Sequence, residues 1–200
     1  ISVKVLRLVN SASFALPRKV ASIEEAVILL GMNKLKILVI ASGIVNSVSK
    51  IEGFNLNQFW LDSFSTATYA KWLANASGCH ADIAFTAGLL SSLGTILIHL
   101  GQPEQALEIE WRIQEGGHDR SFIEKMQLGF TSQDVSAELC RFWQFSEDLI
   151  TPVAECCEPL LADPVSKIAC SVYIARLVSF AKAAEMEEAL LSLIPVEIIE

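Results

Sequence analysis

Residues 87–94 read Ala-Gly-Leu-Leu-Ser-Ser-Leu-Gly and lie in the middle of a very apolar segment. Apolar residues recur there at steps of three and four, which predicts one helix over about 81–100 at the centre of the core. Gly88 and Gly94 do not form a phosphate-binding loop, because no Gly-Lys-Ser/Thr sequence follows them. We therefore expect the glycines to permit close helix packing, and Ser91 and Ser92 to hydrogen-bond to the preceding turn.

The same apolar spacing continues along the chain with little strand alternation, and it predicts an all-α fold. Ser22 and Glu25 match a capping box at the start of one helix, which Gly31 is placed to end. A second helix is expected over about 33–49. A third is expected from a cap at Asn57 to Gly78.

Later helix boundaries follow from prolines, glycines and capping residues. Pro103 suits the first turn of a helix that ends at Gly116-Gly117, and Asp163-Pro164 is expected to begin the last long helix. The expected caps of three short helices between them are Asp119, Ser132 and Ser146. The last helix should bury a stripe of apolar residues: Val165, Ile168, Ala169, Val172 and Ala175.

Composition excludes several classes of protein. A chain of 200 residues with 52% hydrophobic residues suits one compact domain and argues against disorder. The net charge of −8, with no basic stripe, argues against a nucleic-acid partner. Lys34 and Lys36 interrupt the apolar run over 26–45, which argues against a membrane span there. The chain begins with Ile1 and ends within a helical pattern, so we expect it to be a piece of a longer protein, truncated at the N-terminus and at the C-terminus.

Four stretches occur in the order of one family's motifs. Residues 8–14 resemble its L-x-N-S-A-x-F segment, and residues 22–31 resemble S-I-x-x-A-I-x-x-L-G. Phe59 and Trp60, with the residues after them, resemble its F-W-x-x-S-x-x-x-A-x-x-A helix. Trp143 and the run to residue 159 resemble its W-x-x-P … H-H-x-P region. The motif positions of interest are Asn10, Ser11, Gly31, Trp60, Ser63, Gly88 and Gly94.

Together these stretches resemble the HDOD family, non-catalytic relatives of the HD phosphohydrolases, over residues 1 to about 180. The resemblance implies a compact multi-helix HD-like bundle, taken as a single domain over 1–200. It also places the metal-ligand positions of the enzymes on this chain. The first histidine, the His-Asp pair, the later histidine pair and the late aspartate fall on Asp62, Ser91, Ser92, Cys156, Cys157 and, nearby, Arg176.

Of these six residues only Asp62 is a suitable ligand for a hard dication, because serine hydroxyls are neutral and Arg176 would repel the ion. We expect Arg176 to form an internal ion pair with Asp62 in place of a metal. We therefore predict no metal ligand, no cofactor and no catalytic residue.

The remaining candidate residues for metal binding or catalysis have simpler structural interpretations. Cys156 and Cys157 are zinc-ligand types, but adjacent residues of a helix point apart, which favours buried small apolar side chains. His80, His99 and His118 lie at equal intervals that match no ligand pattern. Ser91 and Ser92 lack the G-x-S-x-G sequence of a nucleophile.

The five cysteines form no CxxC pair, and an odd count at irregular spacing suggests a reducing cytoplasm. A redox-responsive regulator that uses Cys156 or Cys157 is one alternative function. Glu155 and Glu158 argue against it, since they would raise a thiol pKa and no cation is adjacent in sequence.

The four tryptophans are expected to anchor the core: Trp60, Trp72, Trp111 and Trp143. Trp111 is the exception, since charged neighbours suggest a half-exposed side chain that could contact a partner.

The resemblance implies a non-catalytic signalling or scaffold domain of bacterial signal transduction, located in the cytoplasm. We expect it to bind another signalling protein or another domain of its own chain, with a small ligand in the vacated pocket as a second type of partner. The acidic surface favours a basic or apolar partner. The alternative is a divergent metal-dependent HD phosphohydrolase that acts on a cyclic dinucleotide or a nucleotide.

Overall fold

The computed structural model describes residues 53–116 and 119–183 continuously, together with residues 21, 22, 25, 28, 51, 194, 195 and 198. The chain divides into two compact units, Ile1–Glu52 and Gly53–Glu200. In the first unit, Ser22 Oγ accepts a hydrogen bond from the Glu25 amide at 3.1 Å, as the predicted cap requires. The Glu25 carboxylate reaches back to the amide of Ala21 at 2.9 Å. The predicted helix over 33–49 and the motif residues Asn10, Ser11 and Gly31 lie outside the described residues.

Every element described in the second unit is helical, which confirms the all-α prediction. In chain order the helices are α1 (Leu56–Ala76), α2 (Ala81–Leu90), α3 (Leu93–Gly101), α4 (Pro103–Glu115), α5 (Arg120–Leu128), α6 (Ser132–Phe142), α7 (Glu147–Glu155) and α8 (Lys167–Ala183). A short 3₁₀ helix, Pro159–Leu161, precedes α8. Helix α1 packs against α2 and α8, α3 packs against α6, and α7 contacts both α2 and α6.

Two glycines set the closest helix contacts, as the sequence predicts. A Cβ atom on Gly88 would lie 2.9 Å from Ala67 Cα on α1. A Cβ atom on Gly94 would overlap the carbonyl of Ser132 and approach Ser136 Oγ to 2.9 Å. These distances leave no space for a methyl group against backbone, so α2 and α3 reach α1 and α6 only through glycine.

The prediction of one helix over 81–100 is wrong, because Ser91 and Ser92 form a turn between α2 and α3. Ser91 Oγ donates to the carbonyl of Gly88 at 2.9 Å, as expected for a serine that bonds to the preceding turn. Ser136 of α6 donates to the Ser91 carbonyl at 3.0 Å and accepts from the Gly94 amide at 2.8 Å. One side chain thus satisfies two backbone groups that the break frees.

Among the described residues, the stretch Ala81–Gly101 is long and apolar enough to cross a membrane by length and composition. However, 67% of its most apolar window is buried inside the fold. A buried core segment satisfies the same criterion, and here it lies against α1, α6 and α7.

Capping residues lie close to the predicted positions, with differences of one to three residues. Asn55, not Asn57, caps α1 by accepting from the Gln58 amide at 3.1 Å. Thr131, not Ser132, caps α6 in a capping box with Asp134. In each case the alternative residue lies inside the helix.

The predicted starts of α5 and α7 agree with the structure, and that of α8 does not. Asp119 caps α5 as predicted, accepting from the Ser121 amide at 3.0 Å. Ser146 precedes α7 without a side-chain bond. The predicted start of the last helix at Asp163-Pro164 is wrong, because α8 begins at Lys167 and Ser166 Oγ accepts from the Ala169 amide at 3.2 Å.

The tryptophans are less buried than predicted. Trp72 is 68% exposed on α1, so its expected place in the core is wrong. Trp111 is 56% exposed, as its charged neighbours predict. Trp60 and Trp143 are partly buried.

A network of hydrogen bonds around Glu110 and Glu124 joins α3, α4, α5 and α6. Glu110 accepts from His99 Nε2 at 3.0 Å and from Arg120 Nη2 at 2.8 and 2.9 Å. Arg120 also reaches the buried Glu124, which accepts from the Ser132 amide at 2.6 Å. Burial by itself raises the pKa of Glu110, but the His99 hydrogen bond and the Arg120 charge outweigh it and hold that pKa below its ordinary value.

The glycine contact predicts a measurable cost. Gly94→Ala should lower the free energy of unfolding by about 1–3 kcal/mol or more, because the methyl group must displace the backbone of α6. Gly101→Ala is the matched control, since nothing lies within 4 Å of the added carbon there. Urea denaturation of both variants measures the difference, and an equal stability of the two would contradict the packing argument.

The hydrogen bonds of Glu110 to His99 and Arg120 give a second prediction. Glu110→Gln should cost about 2 kcal/mol or more, because it weakens charge-assisted bonds to His99 and Arg120. Glu108→Gln on the same helix affects only exposed contacts, the pair with Arg112 and the hydrogen bond from Gln127, and should cost under about 1 kcal/mol.

The pH dependence of this stabilisation has a defined sign. Because the folded pKa of Glu110 is lowered, its contribution is full above the ordinary pKa of 4.5 and is lost as the pH falls through the lowered value. Unfolding titrations of wild type and Glu110→Gln should therefore converge in acid. A difference that grows as the pH falls would contradict the assignment.

Candidate functional site

Four side chains meet where the start of α6, the end of α7 and the middle of α8 come together: Gln133, Cys156, Cys157 and Arg176. We call them the thiol–guanidinium cluster. Gln133 is only 4% exposed, and its Oε1 atom accepts from Arg176 Nη1 at 2.8 Å and from Cys157 Sγ at 3.3 Å. Its Nε2 atom donates to the carbonyl of Val153. One amide therefore joins three helices.

Local structure explains this arrangement. Gln133 lies in the first turn of α6, which the capping box of Thr131 and Asp134 fixes. Cys156 follows the last residue of α7, and Cys157 lies in the turn after it. Both cysteines are therefore outside the helix, so the expectation that they point apart on a helix does not apply. Arg176 Nη1 lies 3.8 Å from Cys156 Sγ.

The pKa values of Cys156 and Cys157 are shifted in opposite directions. Cys156 is fully buried, and its pKa is raised well above the ordinary value because its thiol can donate a hydrogen bond to the Cys157 sulfur and because burial disfavours its thiolate. That hydrogen bond, together with the Arg176 charge, lowers the pKa of Cys157 to about 6 against the effect of burial. The contact from Cys157 to Gln133 Oε1 belongs to the thiol form, since a thiolate has no proton to donate.

No residue adjacent in sequence provides a cation near Cys157, but Arg176 on α8 does. Arg176 lies near Cys157 in space although the two are distant in sequence, and the thiolate charge in turn raises the pKa of the guanidinium. Glu155 and Glu158 do flank the cysteines as expected. Nevertheless, the argument that no cation is available to lower the thiol pKa is wrong.

The predicted ion pair between Asp62 and Arg176 is also wrong. Asp62 Oδ1 instead accepts from Gln58 Nε2 at 2.8 Å, one turn away on α1. Its backbone carbonyl accepts from Ser179 Oγ at 3.4 Å, so Asp62 faces α8 one turn beyond Arg176. The Arg176 guanidinium donates to Gln133 Oε1 instead of pairing with Asp62.

Ser91 and Ser92, where the resemblance places the His-Asp pair of the enzymes, lie outside the cluster. Ser91 is buried and is bonded to Ser136, one turn along α6 from Gln133. Ser92 precedes α3 and forms no side-chain cap. The fold therefore brings Cys156, Cys157 and Arg176 together. It leaves Asp62 and Ser91 in separate hydrogen bonds and Ser92 in the turn before α3.

Sequence reasoning missed Gln133. No motif marks it, because a glutamine near a helix start has no special spacing or charge. The only available signal was the expected start of a helix at residue 132, which places residue 133 in its first turn.

The cluster does not suit a hard dication. Two thiols, an amide and a guanidinium offer no carboxylate or imidazole, and the guanidinium is itself a cation. In the part of the chain that the structure describes, no three His, Cys, Asp or Glu residues are grouped to hold a metal ion. His99 is hydrogen-bonded to Glu110, and its ring centroid lies 4.3 Å from that of Phe54. His118 lies outside the described residues.

A cavity of about 700 Å³ opens beside the cluster. Cys157 and Gln133 line it together with Ser121, Phe122, Glu155 and Leu161. Its other charged lining residues are Asp119, Lys125, Asp134 and Glu158, so acidic groups outnumber basic ones. The cavity therefore gives solvent and small molecules access to Cys157, whereas Cys156 is fully buried.

Comparison with known proteins identifies the family. The HDOD domain profile matches residues 1–159. The chain belongs to the HDOD domain family. A protein named "Putative phosphohydrolase" from Shewanella amazonensis SB2B is 34% identical, with a TM-score of 0.77, and the match covers 98% of this chain and 72% of that one.

Two further proteins are similar to this chain, one in structure and one in sequence. A "Putative signal transduction protein" from Marinobacter aquaeolei VT8 is 19% identical with a TM-score of 0.72, covering 96% of this chain and 46% of that one. An uncharacterized protein of Treponema pallidum (strain Nichols) is 26% identical over 151 residues, 74% of this chain. The chain spans 29% of that relative's length.

The partner of Arg176 can be tested by comparing two substitutions. Arg176→Met should lower the free energy of unfolding by about 1–3 kcal/mol, because it leaves the buried Gln133 Oε1 atom with only a weak thiol donor. Asp62→Asn should change it by less than about 0.5 kcal/mol, since the partner of Asp62 is a neutral glutamine on the same helix. Equal losses in chemical denaturation would favour the Asp62–Arg176 pair instead.

Proposed function

We propose that this HDOD domain is a non-catalytic signalling module of the bacterial cytoplasm that acts by binding another protein or another domain of its own chain. The observation that supports the proposal most strongly is the bond from Arg176 to Gln133. It keeps a permanent positive charge beside Cys156 and Cys157, where the HD resemblance places a pair of metal-binding histidines. A dication there would be repelled at short range.

The neighbouring positions support the same proposal. Metal-dependent phosphoryl chemistry needs a cation to polarise phosphoryl oxygens and to generate hydroxide. Ser91 and Ser92 provide neutral hydroxyls, and Ser91 Oγ is already bonded to the Gly88 carbonyl. Asp62, the one carboxylate of the set, accepts from Gln58.

The surface near the cavity supports a role in binding. Phe122 and Leu161 are exposed apolar side chains on its lining, and the charges around them are mainly acidic. A partner with apolar and basic groups would complement this surface.

The alternative function is a divergent metal-dependent phosphohydrolase. It is favoured by one observation, the 34% identity to a protein whose name states that activity. In this chain such an enzyme would need metal ligands from positions that the motif match does not identify.

Metal content and turnover separate the two functions. Protein purified without chelator, and again after incubation with Mn²⁺, Fe²⁺ or Zn²⁺ and desalting, should contain well under one equivalent of metal by elemental mass spectrometry. It should not hydrolyse bis(p-nitrophenyl) phosphate or a cyclic dinucleotide above the rate of a buffer blank. A stoichiometric metal with hydrolysis that chelator abolishes would establish the enzyme and reject the proposal.

A further inference from the structure

We propose that Cys157 is a modification site at which a hydroperoxide oxidises the thiol to a sulfenic acid. This inference is independent of whether the domain is catalytic. It rests on three features of the cluster: access through the cavity, a cation close to the sulfur pair, and a neighbouring thiol that keeps its proton.

Access distinguishes Cys157 from Cys156. Cys157 is partly exposed and lines the cavity of about 700 Å³, which is large enough for a small hydroperoxide. Cys156 is fully buried behind it. A neutral peroxide is not repelled by the acidic residues at the cavity.

Charge and hydrogen bonding favour the reactive form of Cys157. Arg176 approaches the sulfur pair from α8, with its Nη1 atom 3.8 Å from Cys156 Sγ and 2.8 Å from the Gln133 oxygen that Cys157 contacts. The Cys156 thiol can turn from the Val153 carbonyl, 3.5 Å away, to donate to a Cys157 thiolate. The thiolate, not the thiol, is the nucleophile, so both groups promote attack.

The groups that face Cys157 from other elements act in both directions. Asp119, which caps α5, opposes the thiolate by its charge, while Ser121 on α5 donates a hydrogen bond to it. On α8, burial and the charges of Asp119 and Cys157 raise the pKa of the Tyr173 hydroxyl group. Gln133 Oε1, which accepts from the thiol form, opposes the thiolate as well. The Cys156 hydrogen bond, the Arg176 charge and Ser121 together outweigh burial and Asp119, so the pKa of Cys157 is lowered.

The other thiols lack this environment. Burial raises the pKa of Cys140 to about 12. Burial and the nearby Glu155 raise the pKa of Cys170, although Cys170 is partly exposed like Cys157. Cys170 is therefore a natural internal control for exposure without activation.

The oxidation step is balanced as follows. The Cys157 thiolate attacks the distal oxygen of the hydroperoxide, an S–O bond forms as the O–O bond breaks, and the sulfur loses two electrons. The leaving alkoxide or hydroxide takes a proton from water, which leaves the sulfenic acid and an alcohol or water.

A disulfide with Cys156 is not the expected product. Adjacent Cα atoms are about 3.8 Å apart across a trans peptide, whereas disulfides usually span about 4.4–6.8 Å. The strain of a bridge between neighbours therefore favours persistence of the sulfenic acid.

Site-resolved trapping tests the proposal on the reduced, folded protein. We would add hydrogen peroxide with dimedone at pH 7 and follow each cysteine by peptide mass spectrometry, using fragmentation to distinguish Cys156 from Cys157. Cys157 should be trapped about tenfold faster than Cys170, because its thiolate fraction is larger. Equal rates at Cys157 and Cys170 would overturn the proposal.

Substitutions test the cause of the reactivity. Cys157→Ser should remove the fast trapping and Cys170→Ser should leave it unchanged. Arg176→Met should slow it several-fold, while Arg176→Lys, which keeps the charge, should retain most of it. A folded Arg176→Met protein that reacts at the wild-type rate would reject the role of the cation.

The wild-type pH profile makes the test independent of any variant that fails to fold. Alkylation of Cys157 by iodoacetamide should reach half its maximal rate near pH 6, since that is where the thiolate forms. A rate that rises only above pH 8 would contradict the proposal.

Discussion

The close approach of backbones at Gly88 and Gly94 fixes the geometry of the rest of the second unit. Gly88 brings α2 against Ala67 on α1, and Gly94 brings α3 against Ser132 at the start of α6. The turn between them is closed by Ser136, which bonds to backbone on both sides of the break. Because α6 is positioned there, its first turn presents Gln133 to α7 and α8.

Electrostatics at the cluster follow from that placement. Gln133 is tied to the Val153 carbonyl through its nitrogen, so its oxygen is left to accept, and Arg176 donates to it. A partly buried cation needs compensating partners, and the amide oxygen and the adjacent sulfurs provide them. The Arg176 charge that stabilises a thiolate at Cys157 would also repel a dication at the same place. The proposed exclusion of dications and the proposed activation of Cys157 thus share one cause.

Much of the fold was predictable because it depends on local patterns. The capping function of Asp119, the proline start of α4 and the packing role of Gly88 follow from residue types at fixed offsets. The break at Ser91-Ser92 was not predictable, because it depends on Ser136, which is distant in sequence. The start of α8 was missed because Ser166 competes with Asp163 as a cap.

The candidate site was predictable only in part, for a similar reason. Motif positions identified Cys156, Cys157 and Arg176, since these are offsets from recognisable segments. Pairings were not predictable, because they depend on which side chains face each other across helices. Asp62, on α1, contacts α8 at Ser179, which is one turn beyond Arg176, so the two do not pair. Gln133, which does bond to Arg176, carries no charge that would identify it in the sequence.

The most direct test of the account is crystallographic. Crystals grown with excess Mn²⁺ should be examined by anomalous diffraction at a wavelength where manganese scatters strongly. We expect the Arg176 guanidinium to occupy the space among Gln133, Cys156 and Cys157, with no anomalous peak there. A strong peak at that position, with Arg176 displaced from Gln133, would contradict the claim that an internal cation takes the place of the metal.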